Sequence, residues 1–275
     1  MSQETPQDHI SKKRVVYEMP GVDAVTTRPD IVFGSCDGDA LTMDVYYPPD
    51  FKDGARLPTV VIVAGFPDLG FQKIVGCKFK EMGSSVSWAR LMAASGMGAI
   101  TYSNRSPAAD IRALLQHVRQ NAASLGIDEN RIGLWASSGN VPLALSLLMQ
   151  DPATPLKCAV LCYGYMLDLE GSTGVVDAAK TFGFSNPCAG KSVADLRHDV
   201  PLFLARAGND QMPHLNETLD RFVVEAFGRD LPLTLVNYAS APHAFDLFQD
   251  TETSREVVRQ ILAFLRFHLQ SSHEG

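Results

Sequence analysis

Short apolar segments alternate along this chain with longer segments whose apolar residues recur at helical spacing. Apolar runs of this kind, bounded by turn residues, are typical of strands that are buried in a parallel sheet. The alternation predicts an α/β fold with a mostly parallel central sheet and helices on both faces. The predicted strands of this sheet are Thr59–Val63, Gly98–Tyr102, Ile132–Ala136, Cys158–Cys162, Leu202–Ala205 and Leu233–Tyr238.

A hairpin and several helices complete the predicted secondary structure. Ile31–Phe33 and Leu41–Tyr47 flank a turn-rich segment and predict a hairpin before the first parallel strand. Ala108–Leu125 is the clearest helix, because it carries one apolar stripe and is followed by Gly126, a residue that commonly ends helices. The other predicted helices are Ser84–Ser95, Val141–Met149, Leu215–Phe227 and Ser254–His268.

Composition argues against several classes of protein. The chain of 275 residues has a formal net charge of −7 and scattered basic residues, so no nucleic-acid partner is expected. No signal peptide is visible at the N-terminus, and no apolar stretch reaches the ~20 residues that span a membrane. We therefore expect no membrane association and a cytoplasmic location.

The cysteines favour neither disulfides nor a metal. Their number, 5, is odd and the chain is long, so a disulfide framework is not expected. Cys158 and Cys162 lie four positions apart in an apolar run, which is more typical of buried thiols than of a metal pair. Because no Cys–His cluster has zinc spacing either, we expect no metal site.

A serine lies at the junction between a predicted strand, which ends at Ala136, and a predicted helix. A strand, a tight turn that holds a serine and a helix form a nucleophile elbow, in which the serine backbone is strained. Small residues must lie two positions before and two positions after the nucleophile. For Ser138 these are Ala136 and Asn140, whereas Ser137 would require the bulky Trp135 at the first of them. Ser138 is therefore the predicted nucleophile; the alternative is that the serines only cap the helix.

An aspartate and a histidine follow later strands. Asp210 ends a Gly-Asn-Asp turn after Leu202–Ala205, and His243 follows Leu233–Tyr238. The chain order Ser, Asp, His is the order that α/β-hydrolases use for a catalytic triad. The sequence thus predicts Ser138, Asp210 and His243 as catalytic residues, while Asp246 is interpreted as a cap or support of the last helix.

These motifs resemble those of the α/β-hydrolase superfamily, nearest to its dienelactone-hydrolase-like and small serine esterase branches. The resemblance covers roughly residues 31–270. It is carried by the stretch from Ala109 to Leu134, which is similar to the helix and strand before the elbow, and by Pro242-His243-Ala244-Phe245, which is similar to the histidine loop. It implies the α/β-hydrolase fold with a Ser-Asp-His triad and no cofactor. Dienelactone hydrolases proper use a cysteine nucleophile, whereas position 138 is serine.

The elbow departs from the common G-x-S-x-G pattern, because Ala136 and Asn140 replace its two glycines. We interpret Asn140 as acceptable because asparagine tolerates left-handed backbone angles.

Two backbone N–H groups are predicted to form an oxyanion hole. One is that of Gly139, which follows the nucleophile. The other is that of Phe66, in the loop after the strand Thr59–Val63. Related enzymes carry His-Gly in this loop and this chain has Ala64 in place of the histidine, so the anchoring of the loop is the open question. The alternative is an ordinary Gly-Pro turn.

Residues 163–200 break the alternation of strands and helices. The segment is punctuated by glycines and carries more apolar and aromatic residues than a surface loop needs. We expect a small cap insertion over the active site, with Tyr163, Phe182 and Phe184 as substrate-binding residues. The alternative is that these side chains close the core. The predicted organisation is an N-terminal arm over residues 1–30 and one α/β-hydrolase domain over residues 31–275.

The predicted function is that of a serine hydrolase which cleaves small to medium carboxylic esters or lactones through an acyl-enzyme intermediate, without cofactor or metal. The alternative from another class is a non-catalytic receptor or binding protein for a small molecule, since this fold also serves that purpose. The only partner predicted is the substrate, and a homodimer is left open.

Overall fold

An eight-stranded sheet runs through the centre of the computed structural model, which describes residues 9–52, 54–149 and 155–270. Its strands are β1 (Thr26–Cys36), β2 (Asp39–Tyr47), β3 (Leu57–Ile62), β4 (Gly98–Tyr102), β5 (Ile127–Ser137), β6 (Leu156–Cys162), β7 (Leu202–Ala207) and β8 (Leu233–Tyr238). They lie in the order β1-β2-β4-β3-β5-β6-β7-β8, and the β1–β2 and β2–β4 pairs are antiparallel while all the others are parallel.

Helices cover both faces of this sheet. They are α1 (Asp68–Val75), α2 (Gly83–Ala94), α3 (Pro107–Gln120), α4 (Ala122–Leu125), α5 (Val141–Leu147), α6 (Gly174–Phe182), α7 (Leu215–Gly228), α8 (Phe245–Phe248) and α9 (Glu252–Gln270). The central strands β3 to β6 are almost entirely buried because helices pack on each side of them. The predicted α/β fold with a mostly parallel sheet is confirmed.

The first strand is longer than its apolar residues indicate. β1 begins at Thr26, so residues 26–30 belong to the sheet although the sequence placed them in the N-terminal arm. These residues are exposed and include Pro29, which an edge strand accepts because one of its sides has no neighbour. A strand without apolar alternation gives no periodic signal, and its start could not be predicted.

Other boundaries differ for local reasons. The helix predicted over Ala108–Leu125 is divided into α3 and α4 at Asn121, whose side-chain amide donates to the His117 carbonyl at 2.9 Å. Gly126 ends α4 in the left-handed conformation, with φ of 64°, as the stop signal predicted. The short helices α1, α6 and α8 were missed, since each is too short to establish a helical period.

Residues 9–25 lie along helix α2 and include two short 3₁₀ turns, Ile10–Lys12 and Val22–Ala24. Val15 is buried there, and its N–H donates to Ser87 Oγ at 3.0 Å. The next N–H, that of Val16, donates to the carbonyl of Asp246 at 2.8 Å. The chain crosses α2 so closely that a Cβ at Gly83 would lie 2.7 Å from the carbonyl oxygens of Lys12 and Lys13. Residues 1–8 of the predicted arm lie outside the described residues.

This crossing predicts that Gly83→Ala destabilises the fold. The added methyl would overlap two backbone carbonyls, which cannot move aside as a flexible side chain could, and overpacking typically costs about 1–3 kcal/mol. The measurement is the free energy of unfolding in urea. Gly228→Ala is the matched control, because no atom lies within 4 Å of a Cβ at this position of helix α7. Equal stability of the two variants would contradict the close crossing.

Candidate active site

Ser138 has the strained backbone that the elbow requires. Its φ is +54°, a region that residues with side chains seldom adopt, and it separates the last residue of β5 from the turn that leads into α5. Ala136, two positions earlier, is completely buried, so a larger side chain could not be accommodated there. The steric argument from the sequence and the backbone geometry therefore select the same serine.

The interpretation of Asn140 as a residue that tolerates left-handed backbone angles is wrong. Its φ is −83°, so it does not need left-handed angles. Its side chain instead bridges two segments: Oδ1 accepts from the N–H of Gly65 at 2.7 Å, and Nδ2 donates to the carbonyl of Ser137 at 3.0 Å. Asn140 thus ties the elbow to the loop of the predicted oxyanion hole.

The peptide between Gly65 and Phe66 has a defined orientation. The Gly65 carbonyl accepts from the N–H of Ser185 at 2.8 Å. Because C=O and N–H point in opposite directions across a trans peptide, the N–H of Phe66 points away from Ser185. Neither this N–H nor that of Gly139 donates to any other described residue, so both are free for a ligand.

Buried polar groups behind this loop anchor it at Ala64, the position where the resemblance implied a histidine. The N–H of Ala64 donates to the hydroxyl of Tyr102 at 3.0 Å, and Nδ2 of Asn104 donates to the Ala64 carbonyl at 3.3 Å. The carboxylate of Asp68 in turn accepts from the N–H groups of Asn104 at 2.9 Å and Phe79 at 3.1 Å. The loop is therefore firmly held, and these contacts could not be predicted from a local pattern because they join separate segments.

Asp210 and His243 meet at the carboxyl edge of the sheet. Nδ1 of His243 lies 2.6 Å from Oδ2 of Asp210, whose side chain is completely buried and whose Oδ1 accepts from the N–H of Met212 at 2.9 Å. The loops that carry them are tied together, because the N–H of Gly208 donates to the Tyr238 carbonyl at 2.9 Å. A Cβ at Gly208 would lie 2.3 Å from the Ala239 carbonyl, so only glycine allows the approach.

Asp246 neither pairs with His243 through a hydrogen bond nor caps the last helix, so the predicted capping role is wrong. It lies in α8 and is 2% exposed. Its Oδ1 accepts from the hydroxyl of Tyr163 at 2.6 Å and its Oδ2 from Nε1 of Trp88 at 2.8 Å. Helix α9 is capped by Thr251, whose Oγ1 accepts from the N–H of Ser254 at 3.2 Å.

A cavity of about 390 Å³ opens beside Ser138. Its wall includes Gly139 and is otherwise mainly aromatic and aliphatic, with Phe66, Phe71, Ile74, Tyr165, Phe182, Phe184 and Met212 among the lining residues. Two of the predicted substrate-binding residues, Phe182 and Phe184, therefore lie on this wall. The third, Tyr163, is not among the lining residues and packs its ring edge-on against His243, with the ring centroids 5.1 Å apart.

The segment 163–200 is divided between the core and the cavity. Tyr163, Met166 and Leu167 at its start belong to the main core. Tyr165 and Phe184, with Val175 and Ala178 of α6, instead form a second apolar cluster that borders the cavity. The start of the segment therefore closes the core, and its later part borders the cavity.

The sequence matches no protein-family model and no curated protein. Solved structures do match over nearly the whole chain. Native esterase 2 from the planctomycete Thermogutta terrifontis superposes with a TM-score of 0.66 and 20% identity, over 93% of this chain and 96% of that one. The same esterase phosphorylated by paraoxon gives a TM-score of 0.64 and 20% identity, over 91% and 96%. A bacterial heroin esterase gives a TM-score of 0.72 and 16% identity, over 93% and 88%.

The chain has the α/β-hydrolase fold. The solved structures named above are esterases, and the resemblance to dienelactone hydrolases remains a prediction from the sequence. Within the described part of the chain, no three His, Cys, Asp or Glu side chains are grouped so that they could hold a metal ion. No helix in the same residues has both the length and the apolar character that crossing a membrane requires.

Proposed function

We propose that this protein is a serine hydrolase that cleaves carboxylic esters or lactones of small to medium size through Ser138, His243 and Asp210. The observation that carries the proposal is the strained Ser138, which opens on an apolar cavity beside two free N–H groups. The paired Asp210 and His243 follow β7 and β8 at the same edge of the sheet. The esterase activity of the structural neighbours is consistent with this proposal.

In the proposed mechanism, Nε2 of His243 takes the proton of Ser138 Oγ as this oxygen attacks the carbonyl carbon of the substrate. The carbonyl oxygen becomes negative and accepts from the N–H groups of Phe66 and Gly139. His243 then returns the proton to the leaving alcohol. In the second half of the reaction, water attacks the acyl-enzyme with His243 as the base, which releases the acid and restores Ser138. Asp210 accepts a hydrogen bond from Nδ1–H throughout, which fixes the tautomer that leaves Nε2 free to act as the base.

The cavity favours a neutral, apolar acyl or alcohol group. None of the described residues that line it is charged. The hydroxyl of Tyr165 already donates to the Pro213 carbonyl at 3.0 Å, and that of Thr181 to the Asp177 carbonyl at 2.9 Å. A buried polar substituent would therefore lack partners, which costs more than an absent contact. The volume of about 390 Å³ lies at the lower end for small-molecule sites and supports small to medium substrates.

The first test is covalent labelling with a fluorophosphonate probe. We expect the wild-type protein and Ser137→Ala to be labelled, and Ser138→Ala to be unlabelled and to lose several orders of magnitude in kcat for p-nitrophenyl esters. Melting temperatures check that the variants are folded. An unlabelled wild-type protein would support the non-catalytic receptor instead, and an active Ser138→Ala would contradict the assigned nucleophile.

The second test concerns the cavity wall. Phe184→Ala should enlarge the cavity and shift the preference in kcat/KM towards longer acyl chains by about tenfold, since each methylene in an apolar pocket is worth about 1–3 kcal/mol. Phe182→Ala should give a smaller shift, because its side chain is 37% exposed. Phe227→Ala is the control, as this exposed residue of α7 does not line the cavity. An unchanged preference with a lowered melting temperature would assign Phe184 to the core alone.

The third test removes the bridge between the elbow and the loop. Asn140→Ala deletes both hydrogen bonds and should lower kcat about ten- to hundredfold with KM little changed, because an oxyanion hole acts mainly on the transition state. Asn121→Ala is the control, since this asparagine makes a comparable side-chain bond at the end of α3. Wild-type kcat in Asn140→Ala would show that Phe66 does not depend on the bridge.

A further inference from the structure

We propose that Asp246 is a second carboxylate that stabilises the protonated form of His243, with Tyr163 as the residue that positions both. Neither residue contacts the substrate in this proposal, so both are positioning residues. The inference rests on the proposed function, in which His243 gains a positive charge when it takes the proton of Ser138. The three side chains Trp88, Tyr163 and Asp246 are called the Asp246 cluster below.

Asp246 is a buried acid held only by neutral donors. The hydroxyl of Tyr163 and the indole N–H of Trp88 each satisfy one of its oxygens, and no lysine or arginine in the described residues forms an ion pair with it. Burial raises the pKa of this carboxyl, and the two hydrogen bonds lower it. Keeping a charge in such a place is costly, and an apolar residue of similar size is often at least as stabilising. The stability of the fold alone therefore does not explain the acid.

Tyr163 connects the buried acid to the imidazole. Its hydroxyl bonds Asp246 at 2.6 Å, while its ring packs edge-on against the ring of His243, with centroids 5.1 Å apart. Its backbone φ is +34°, which is rare for an aromatic residue and indicates that the surrounding structure imposes this position. Because Asp246 follows His243 by three residues, one short segment carries both the imidazole and the acid.

The other titratable groups around the Asp246 cluster remain neutral. Burial raises the pKa of the Cys162 thiol and that of the Tyr163 hydroxyl well above their usual values. Among the described residues, the acidic groups near His243 are Asp210, through its hydrogen bond at 2.6 Å, and Asp246, which is connected to the imidazole through Tyr163. Ser138 is neutral before reaction.

The interaction between His243 and Asp246 must be mutual. A positive charge on His243 lowers the pKa of Asp246, against the larger effect of burial. Because Tyr163 contacts both side chains, a negative Asp246 lies near His243 and favours the positive form of the imidazole. This stabilisation exists only while His243 is protonated, which in the proposed mechanism is during acyl transfer and not in the substrate complex. The effect therefore falls on kcat rather than on KM.

The test compares Asp246→Asn with Asp110→Asn. Asp110 is a buried carboxylate that also accepts from two neutral donors, the N–H groups of Arg105 and Ser106, but it does not line the cavity. We expect Asp246→Asn to lower kcat about tenfold at the plateau with KM unchanged, and to move the acid limb of the pH–rate profile to lower pH. The imidazole signals of His243 in NMR should titrate at lower pH than in the wild type, whereas Asp110→Asn should change none of these quantities.

The NMR titration separates this inference from the proposed function. If Ser138→Ala stays active, the proposed function fails. The inference about Asp246 is tested separately, because an unchanged titration of His243 in Asp246→Asn would overturn it whatever the nucleophile is. If hydrolysis depends on Ser138 while Asp246→Asn keeps the wild-type kcat, acid limb and titration, only the inference fails. A lowered melting temperature with those three quantities unchanged would assign Asp246 a purely structural role.

Tyr163→Phe provides a second variant should Asp246→Asn fail to fold. It keeps the ring against His243 and removes the hydrogen bond to Asp246, so we expect a several-fold loss of kcat with KM unchanged. Tyr238→Phe is the matched control, because Tyr238 also packs edge-on against Phe245, at 5.5 Å compared with 5.6 Å for Tyr163, but its hydroxyl bonds Thr251. Equal kcat in the two variants would overturn the role of Tyr163.

Discussion

The left-handed backbone of Ser138 is the constraint on which the rest of the site depends. A residue other than glycine in this region costs about 1–3 kcal/mol and persists only where its surroundings enforce it. The buried Ala136 leaves no room for another register, and the side chain of Asn140 fixes both the carbonyl of Ser137 and the N–H of Gly65. The same contacts that hold the serine in place therefore also hold the loop of Phe66 beside it.

The sheet brings together groups that are far apart in the sequence. The strands β3, β5, β6, β7 and β8 lie side by side in this order and run parallel. Their carboxyl ends therefore open on one edge of the sheet. Each end contributes one loop, and hydrogen bonds between loops set their spacing, as between Gly65 and Asn140. Precision in the site thus comes from bonds between loops as much as from the strands beneath them.

Much of this could be predicted from the sequence. The order of strands and helices follows from periodicity, and the register of Ser138 follows from the volume of Trp135 compared with Ala136. Contacts between remote segments could not be predicted, because no local pattern relates Asn140 to a partner 75 residues away, or Asp246 to Trp88. The same limit applies to Tyr163, which was predicted to bind substrate: Tyr165, two positions later, lines the cavity, whereas the positive φ of Tyr163 breaks the alternation that would place both on one side.

The hydrogen bond between Val16 and the backbone of Asp246 has a consequence for how the chain matures. Val16 binds a residue that lies 230 positions later in the chain. Until α8 has left the ribosome, the early segment has no acceptor at this point, and contacts of such long sequence separation are slow to form. The support beneath His243 is therefore a feature that a growing chain completes only after α8 has been synthesised.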